Sequence, residues 1–86
     1  METVRVQFEL PPERLKEVEA LMLECGVTTK KEIFNNALTL LKWAVKQVKA
    51  GNTVASVDDK QGRYRELTMP IFSNIQPDET TSRIAQ

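Results

Sequence analysis

The sequence predicts a mainly α fold with short β elements. An N-terminal strand pairs with its copy in a second chain, two helices follow, and a C-terminal β-hairpin and a tail complete the chain. Three observations carry this expectation. Residues 3–10 alternate strictly, with Val4, Val6, Phe8 and Leu10 on one face and Thr3, Arg5, Gln7 and Glu9 on the other. That is the period of a half-buried strand. No second strand of similar quality lies within hairpin reach. A lone strand is unstable in water, because its backbone groups and its apolar face both need a partner, and the simplest partner is the same strand of a second copy. Finally, the second helix carries an apolar arc too broad for the short first helix to cover.

The first helix is expected over Glu13–Cys25. Pro11-Pro12 ends the strand, since proline cannot donate to a ladder, and Pro12 suits a first helical turn. Leu15, Val18, Leu21, Met22 and Cys25 fall within roughly a 120° arc, the apolar stripe of a surface helix. Glu13, Glu17 and Glu24 lie opposite, and Gly26 stands where a left-handed residue past the helix end is wanted. Cys25, on the stripe, reads as a small core residue rather than a reactive thiol.

The second helix is expected from about Thr29 to Ala50, with Thr28 or Thr29 as N-cap and Thr29 with Glu32 as a capping box. Ile33, Phe34, Ala37, Leu38, Leu40, Leu41, Ala44, Val45 and Val48 span an arc of about 160°. Lys42, Lys46 and Lys49 cluster on the polar side and read as a solvated face, and Trp43 as a dimer or hairpin contact. After Gly51-Asn52, residues 53–57 and 63–69 are β-prone, and Asp58-Asp59-Lys60-Gln61-Gly62 is turn chemistry. Ile71 and Phe72 are expected to pack back onto the body. The organisation is thus a module over 1–51, a hairpin extension over 52–72 and a polar, flexible tail over 73–86.

The chain has 86 residues, one cysteine and no histidine, which excludes an intrachain disulfide and the usual Cys/His zinc sites. No metal and no other cofactor are expected. Small units are commonly stapled by metal, disulfide or oligomerisation, and oligomerisation remains. No basic apolar leader opens the sequence and no apolar run approaches a membrane span, so the expectation is a cytoplasmic chain with no membrane partner. Zero net charge and a pI of about 6.3 argue against non-specific coating of nucleic acid but leave room for a local DNA-reading surface.

The order strand, helix, glycine-anchored turn, longer helix over residues 3–50 resembles the ribbon-helix-helix family, the MetJ/Arc/CopG group of transcriptional regulators. The residues that carry the resemblance are Val4-Arg5-Val6-Gln7-Phe8-Glu9-Leu10, Pro12-Glu13-Arg14-Leu15, Gly26-Val27-Thr28 and Lys31-Glu32-Ile33-Phe34-Asn35-Asn36-Ala37-Leu38. The resemblance implies an intertwined homodimer whose two N-terminal strands form an antiparallel ribbon that enters the DNA major groove. By position, the base-reading residues are Arg5, Gln7 and Glu9, with Thr3 at the margin. The phosphate-binding residues are Thr28, Thr29 and Lys30. The dimer core is Val4, Val6, Phe8, Leu10, Ile33, Phe34, Ala37, Leu38 and Leu41. The implied partner is double-stranded DNA, with possible further assembly of dimers along it.

The chemistry of these residues is compatible with that role. A guanidinium fork at Arg5 matches guanine O6/N7, and the amide of Gln7 matches adenine N6/N7. The alternative for both is a solvated strand face. Glu9 is repelled by phosphates, although it can accept from cytosine N4. Pairing with Arg5 or Lys30 is its alternative role. Thr28-Thr29-Lys30-Lys31 places hydroxyls and ammonium groups at a helix N-terminus, which suits a phosphate and equally suits ordinary capping. Arg5, Arg14, Lys16, Lys30 and Lys31 face Glu2, Glu9, Glu13, Glu17, Glu19, Glu24 and Glu32 within residues 1–33, an acidic excess that limits affinity.

No catalytic constellation is present in the sequence, and an enzyme is not expected. The function expected first is a sequence-specific DNA-binding regulator acting as a repressor. The alternatives are an antitoxin whose C-terminal region binds a toxin, and a dimerisation or protein-interaction module without DNA binding. The outer face of the strand discriminates them, since a reader needs Arg5 and Gln7 and a pure dimer module does not.

Overall fold

The computed structural model describes residues 2–78. Residues 2–11 form an N-terminal arm that runs without helix, turn or bend and has no ladder partner among the described residues. The strand expected over 3–10 is therefore not formed within one chain, because a strand is defined by its ladder.

Helix α1 spans Pro12–Cys25. It starts one residue before the expected Glu13 because the Pro11 carbonyl already accepts from the amides of Arg14 at 3.0 Å and Leu15 at 3.1 Å, while Pro12 needs no amide partner in the first turn. Val18 and Met22 are its half-buried residues. Cys25, expected among the core residues, is exposed. It is the last helical residue, where the following turn that flanks a mid-helix position is missing. Gly26 then takes the left-handed conformation at φ 69°, its amide donates to the Leu23 carbonyl, and Val27 donates to Met22 at 3.0 Å. This reversal satisfies carbonyls that the helix end leaves unpaired.

Helix α2 spans Lys30–Lys49, within a residue of the expected bounds at each end. Thr29 is its N-cap: the hydroxyl accepts from the Glu32 amide at 3.1 Å and the carbonyl from Ile33 at 3.4 Å. The C-terminal end repeats the pattern after α1, with Gly51 at φ 81° and the Asn52 amide on the Gln47 carbonyl at 2.9 Å. Lys46 and Lys49 in the last turn complement the negative end of the helix dipole. Along α2, Ala44 is buried, Ile33, Leu41, Val45 and Val48 are half-buried, and Phe34, Leu38, Leu40 and Trp43 are exposed.

Packing divides the chain into two units at Ala37 and Leu38, inside α2. In the first unit the ring of Phe8 meets that of Phe34 edge-on, with centroids 5.2 Å apart at 84°. The second unit holds an antiparallel hairpin of β1 (Ala55–Asp58) and β2 (Arg63–Glu66), in the register Ala55↔Glu66 to Asp58↔Arg63. The Asp58 carboxylate accepts from the amides of Lys60 at 3.1 Å and Gln61 at 3.2 Å, fixing the turn. The hairpin is shorter than the expected 53–57 and 63–69. Leu67 still bonds to Val54 at 2.8 Å, but Asn52 is held in the cap of α2, so little chain is left to face Thr68 and Met69.

A 3₁₀ turn, Pro70–Asn74, follows. Phe72 and Ile75 are half-buried and Ile71 is exposed. The Asp78 amide donates to the Lys49 carbonyl at 2.9 Å, which ties this segment to the end of α2. Of the tail expected over 73–86, residues 79–86 lie outside the described residues.

Candidate functional site

Alternation along the arm decides which side chains face where. Phe8 is turned to α2 by its ring contact with Phe34. Strand alternation assigns Val4, Val6 and Leu10 to the Phe8 side, and Thr3, Arg5, Gln7 and Glu9 to the other. Every one of these residues is exposed. The exposure of the apolar row falls steadily toward α1, from 85% at Val4 through 77% at Val6 and 58% at Phe8 to 38% at Leu10. A row of four apolar side chains is thus half-seated at one end and bare at the other.

The polar row is unengaged among the described residues. Among the described residues the ion pair formed is Arg14–Glu17 at 2.8 Å, an exposed i,i+3 pair of little energetic weight. Arg5 is therefore free of ionic partners, and Glu9 pairs with neither Arg5 nor Lys30.

Thr28, Thr29 and Lys30 are exposed at the start of α2. The Thr29 hydroxyl accepts from the Glu32 amide, and a hydroxyl that accepts still has its own proton to donate. Capping and phosphate binding are compatible at this atom. Glu32 is in the same first turn. Its backbone carbonyl accepts from the Asn36 side-chain amide at 2.8 Å. The Glu32 carboxylate weakens the attraction of this helix end for an anion. Phe34 lies four residues into the helix from Lys30, a rise of about 6 Å, so the arm crosses α2 roughly one turn from the cap.

Of the expected core set, Ile33 and Leu41 are half-buried, while Phe34, Ala37 and Leu38 are exposed in the single chain. In the second unit, Val48, Val54, Leu67, Met69 and Phe72 line a shallow groove of about 270 Å³ together with Asn52 and Glu66. It is open and mixed in polarity, with Thr53 and Thr68 completing its lining. Among the described residues no three His, Cys, Asp or Glu side chains converge to hold a metal ion, and no helix is long and apolar enough to cross a membrane.

Sequence reasoning passed over the open edges of the hairpin. Residues 53–57 read as β-prone, but which amides point outward depends on the β1–β2 register.

No family model, curated protein or solved structure matches the chain.

Proposed function

We propose that the chain acts as a homodimeric, sequence-specific DNA-binding regulator of the ribbon-helix-helix type, a repressor. In this reading residues 3–10 of two copies pair as an antiparallel ribbon, and Arg5, Gln7 and Glu9, flanked by Thr3, read base edges in the major groove. Thr28, Thr29 and Lys30 hold phosphates at the start of α2. The observation that carries the reading is the arm: an alternating segment with a bare apolar row, anchored to α2 at Phe8 and presenting unpaired polar side chains on its other face.

Magnitudes indicate what such a dimer needs. Completing the burial of Val4, Val6, Phe8 and Leu10 is worth about 5 kcal/mol per chain at roughly 2 kcal/mol per side chain. Two chains give about 10 kcal/mol, comparable to the roughly 4–15 kcal/mol that association costs. The arms alone leave little surplus. The exposed Phe34 and Leu38 on α2 belong in the same interface, which supplies the remainder.

A second reading, a dimerisation module without DNA binding, is favoured by the acidic excess of residues 1–33 and by Glu9 on the outer face. Selection of random duplex DNA by the purified chain, repeated on Arg5→Ala and Gln7→Ala, separates the two. The regulator enriches one sequence, and both variants lose that preference. If no sequence is enriched at low salt, the chain is not a reader.

A further inference from the structure

We propose that the open edge of β1 pairs with β1 of a second copy, joining two hairpins into one four-stranded sheet. This contact is separate from the N-terminal ribbon and does not rest on the DNA-binding reading. A two-stranded hairpin is at best marginally stable in water, and it needs further strands or packing against a helix for independent stability; here Val54 and Leu67 share a groove with Val48 of α2. Here the cross-strand pair Val57 and Tyr64 stands exposed at 67% and 64%. The Val57–Tyr64 end of the hairpin is therefore left uncovered among the described residues.

The two edges are not equivalent. β2 reads Arg63-Tyr64-Arg65-Glu66. Two-fold pairing about an axis normal to the sheet keeps faces matched, so facing residue numbers must sum to an even value. On β2 every such register puts arginine opposite or diagonal to arginine, and like charges facing each other are destabilising. Charged side chains of this kind guard an edge. β1 reads Ala55-Ser56-Val57-Asp58 and is uncharged until its last residue.

The backbone of β1 selects the register. The Leu67 amide bonds to the Val54 carbonyl at 2.8 Å, and the pairing runs Ser56↔Arg65 and Asp58↔Arg63. Val54, Ser56 and Asp58 are therefore the positions bonded to β2, and Ala55 and Val57 direct their amides and carbonyls outward. Placing Ser56 on the two-fold axis sets Ala55 against Val57 of the other copy, twice. All four outward amide and carbonyl pairs are then satisfied. No charged side chain of the two β1 strands faces another, and Tyr64, Val57 and Ala55 of both copies form one apolar patch, with Glu66, the partner of Ala55, at its two outer corners.

Single cysteines placed in a Cys25→Ser background test this register. At a non-hydrogen-bonded site on the axis the two Cα atoms lie about 4.5 Å apart, within disulfide reach. Ser56→Cys is expected to cross-link to a covalent dimer under mild oxidation. Ala55→Cys and Val57→Cys are each expected to cross-link at least tenfold more slowly alone, and readily when co-expressed together. Val57→Pro removes an outward amide and fixes φ without deleting a β1–β2 ladder bond, and is expected to abolish the cross-link of Ser56→Cys while the helical circular dichroism is unchanged. Equal cross-linking at all three positions, no cross-link at Ser56→Cys, or a cross-link that persists with Val57→Pro overturns the proposal.

Discussion

The ring of Phe8 meets Phe34 edge-on, centroids 5.2 Å apart at 84°. This contact fixes which side of the arm faces α2, and hence which side is left for a ligand. Such a pair contributes about 0.5–1.5 kcal/mol beyond area burial. In the proposed dimer Phe8 is also buried by the other copy, so Phe8→Ala costs about 3 kcal/mol and lowers the dependence of the unfolding midpoint on protein concentration. Thermal unfolding at two concentrations a hundredfold apart measures both. A loss near 1 kcal/mol with a concentration-independent midpoint means that the arm packs only on its own chain.

Thr29 caps α2 through its hydroxyl on the Glu32 amide. Thr29→Ala is expected to destabilise by about 0.5–2 kcal/mol, and Thr29→Ser to retain most of the wild-type stability. Urea unfolding reads the difference. Equal stability of alanine and serine variants would show that the bond contributes nothing net.

Gly26 holds φ 69° with open space where a Cβ would stand. The cost of Gly26→Ala is therefore conformational rather than steric, about 1–2 kcal/mol. Gly26→Asn should cost less, because asparagine tolerates the left-handed region. Chemical denaturation of both variants checks the order, and a neutral alanine variant would contradict it.

Lys30 supplies one cation at the start of each α2. If it neutralises one phosphate per protomer, Lys30→Ala lowers the slope of log affinity against log salt by about 2 per dimer on duplex DNA, while the enriched sequence stays the same. Binding titrations between low and moderate salt give the slope. An unchanged slope removes Lys30 from the phosphate contacts.

The helices were legible because local signals agree. The apolar spacing, Pro12, Gly26, Thr29 and Gly51 each mark a boundary through their own backbone chemistry, and α1 and α2 begin and end within two residues of those marks. The hairpin was legible as an element, but its length was not, because the cap that holds Asn52 takes residues away from β1. Exposure of Cys25 was illegible from the wheel, which treats a terminal position like a central one. At the candidate site, alternation separates Arg5, Gln7 and Glu9 from the apolar row, and both rows are exposed in the single chain. Alternation carries no information about what lies across the strand, and among the described residues no segment of the chain pairs with it.

Isotope-filtered NMR on a mixture of labelled and unlabelled chain tests the ribbon most directly. Cross-chain contacts between the backbones of residues 3–10, together with a dimeric mass in solution, are the expected result. A monomeric mass, or cross-chain contacts that leave residues 3–10 untouched, would contradict a ribbon built from the N-terminal arm.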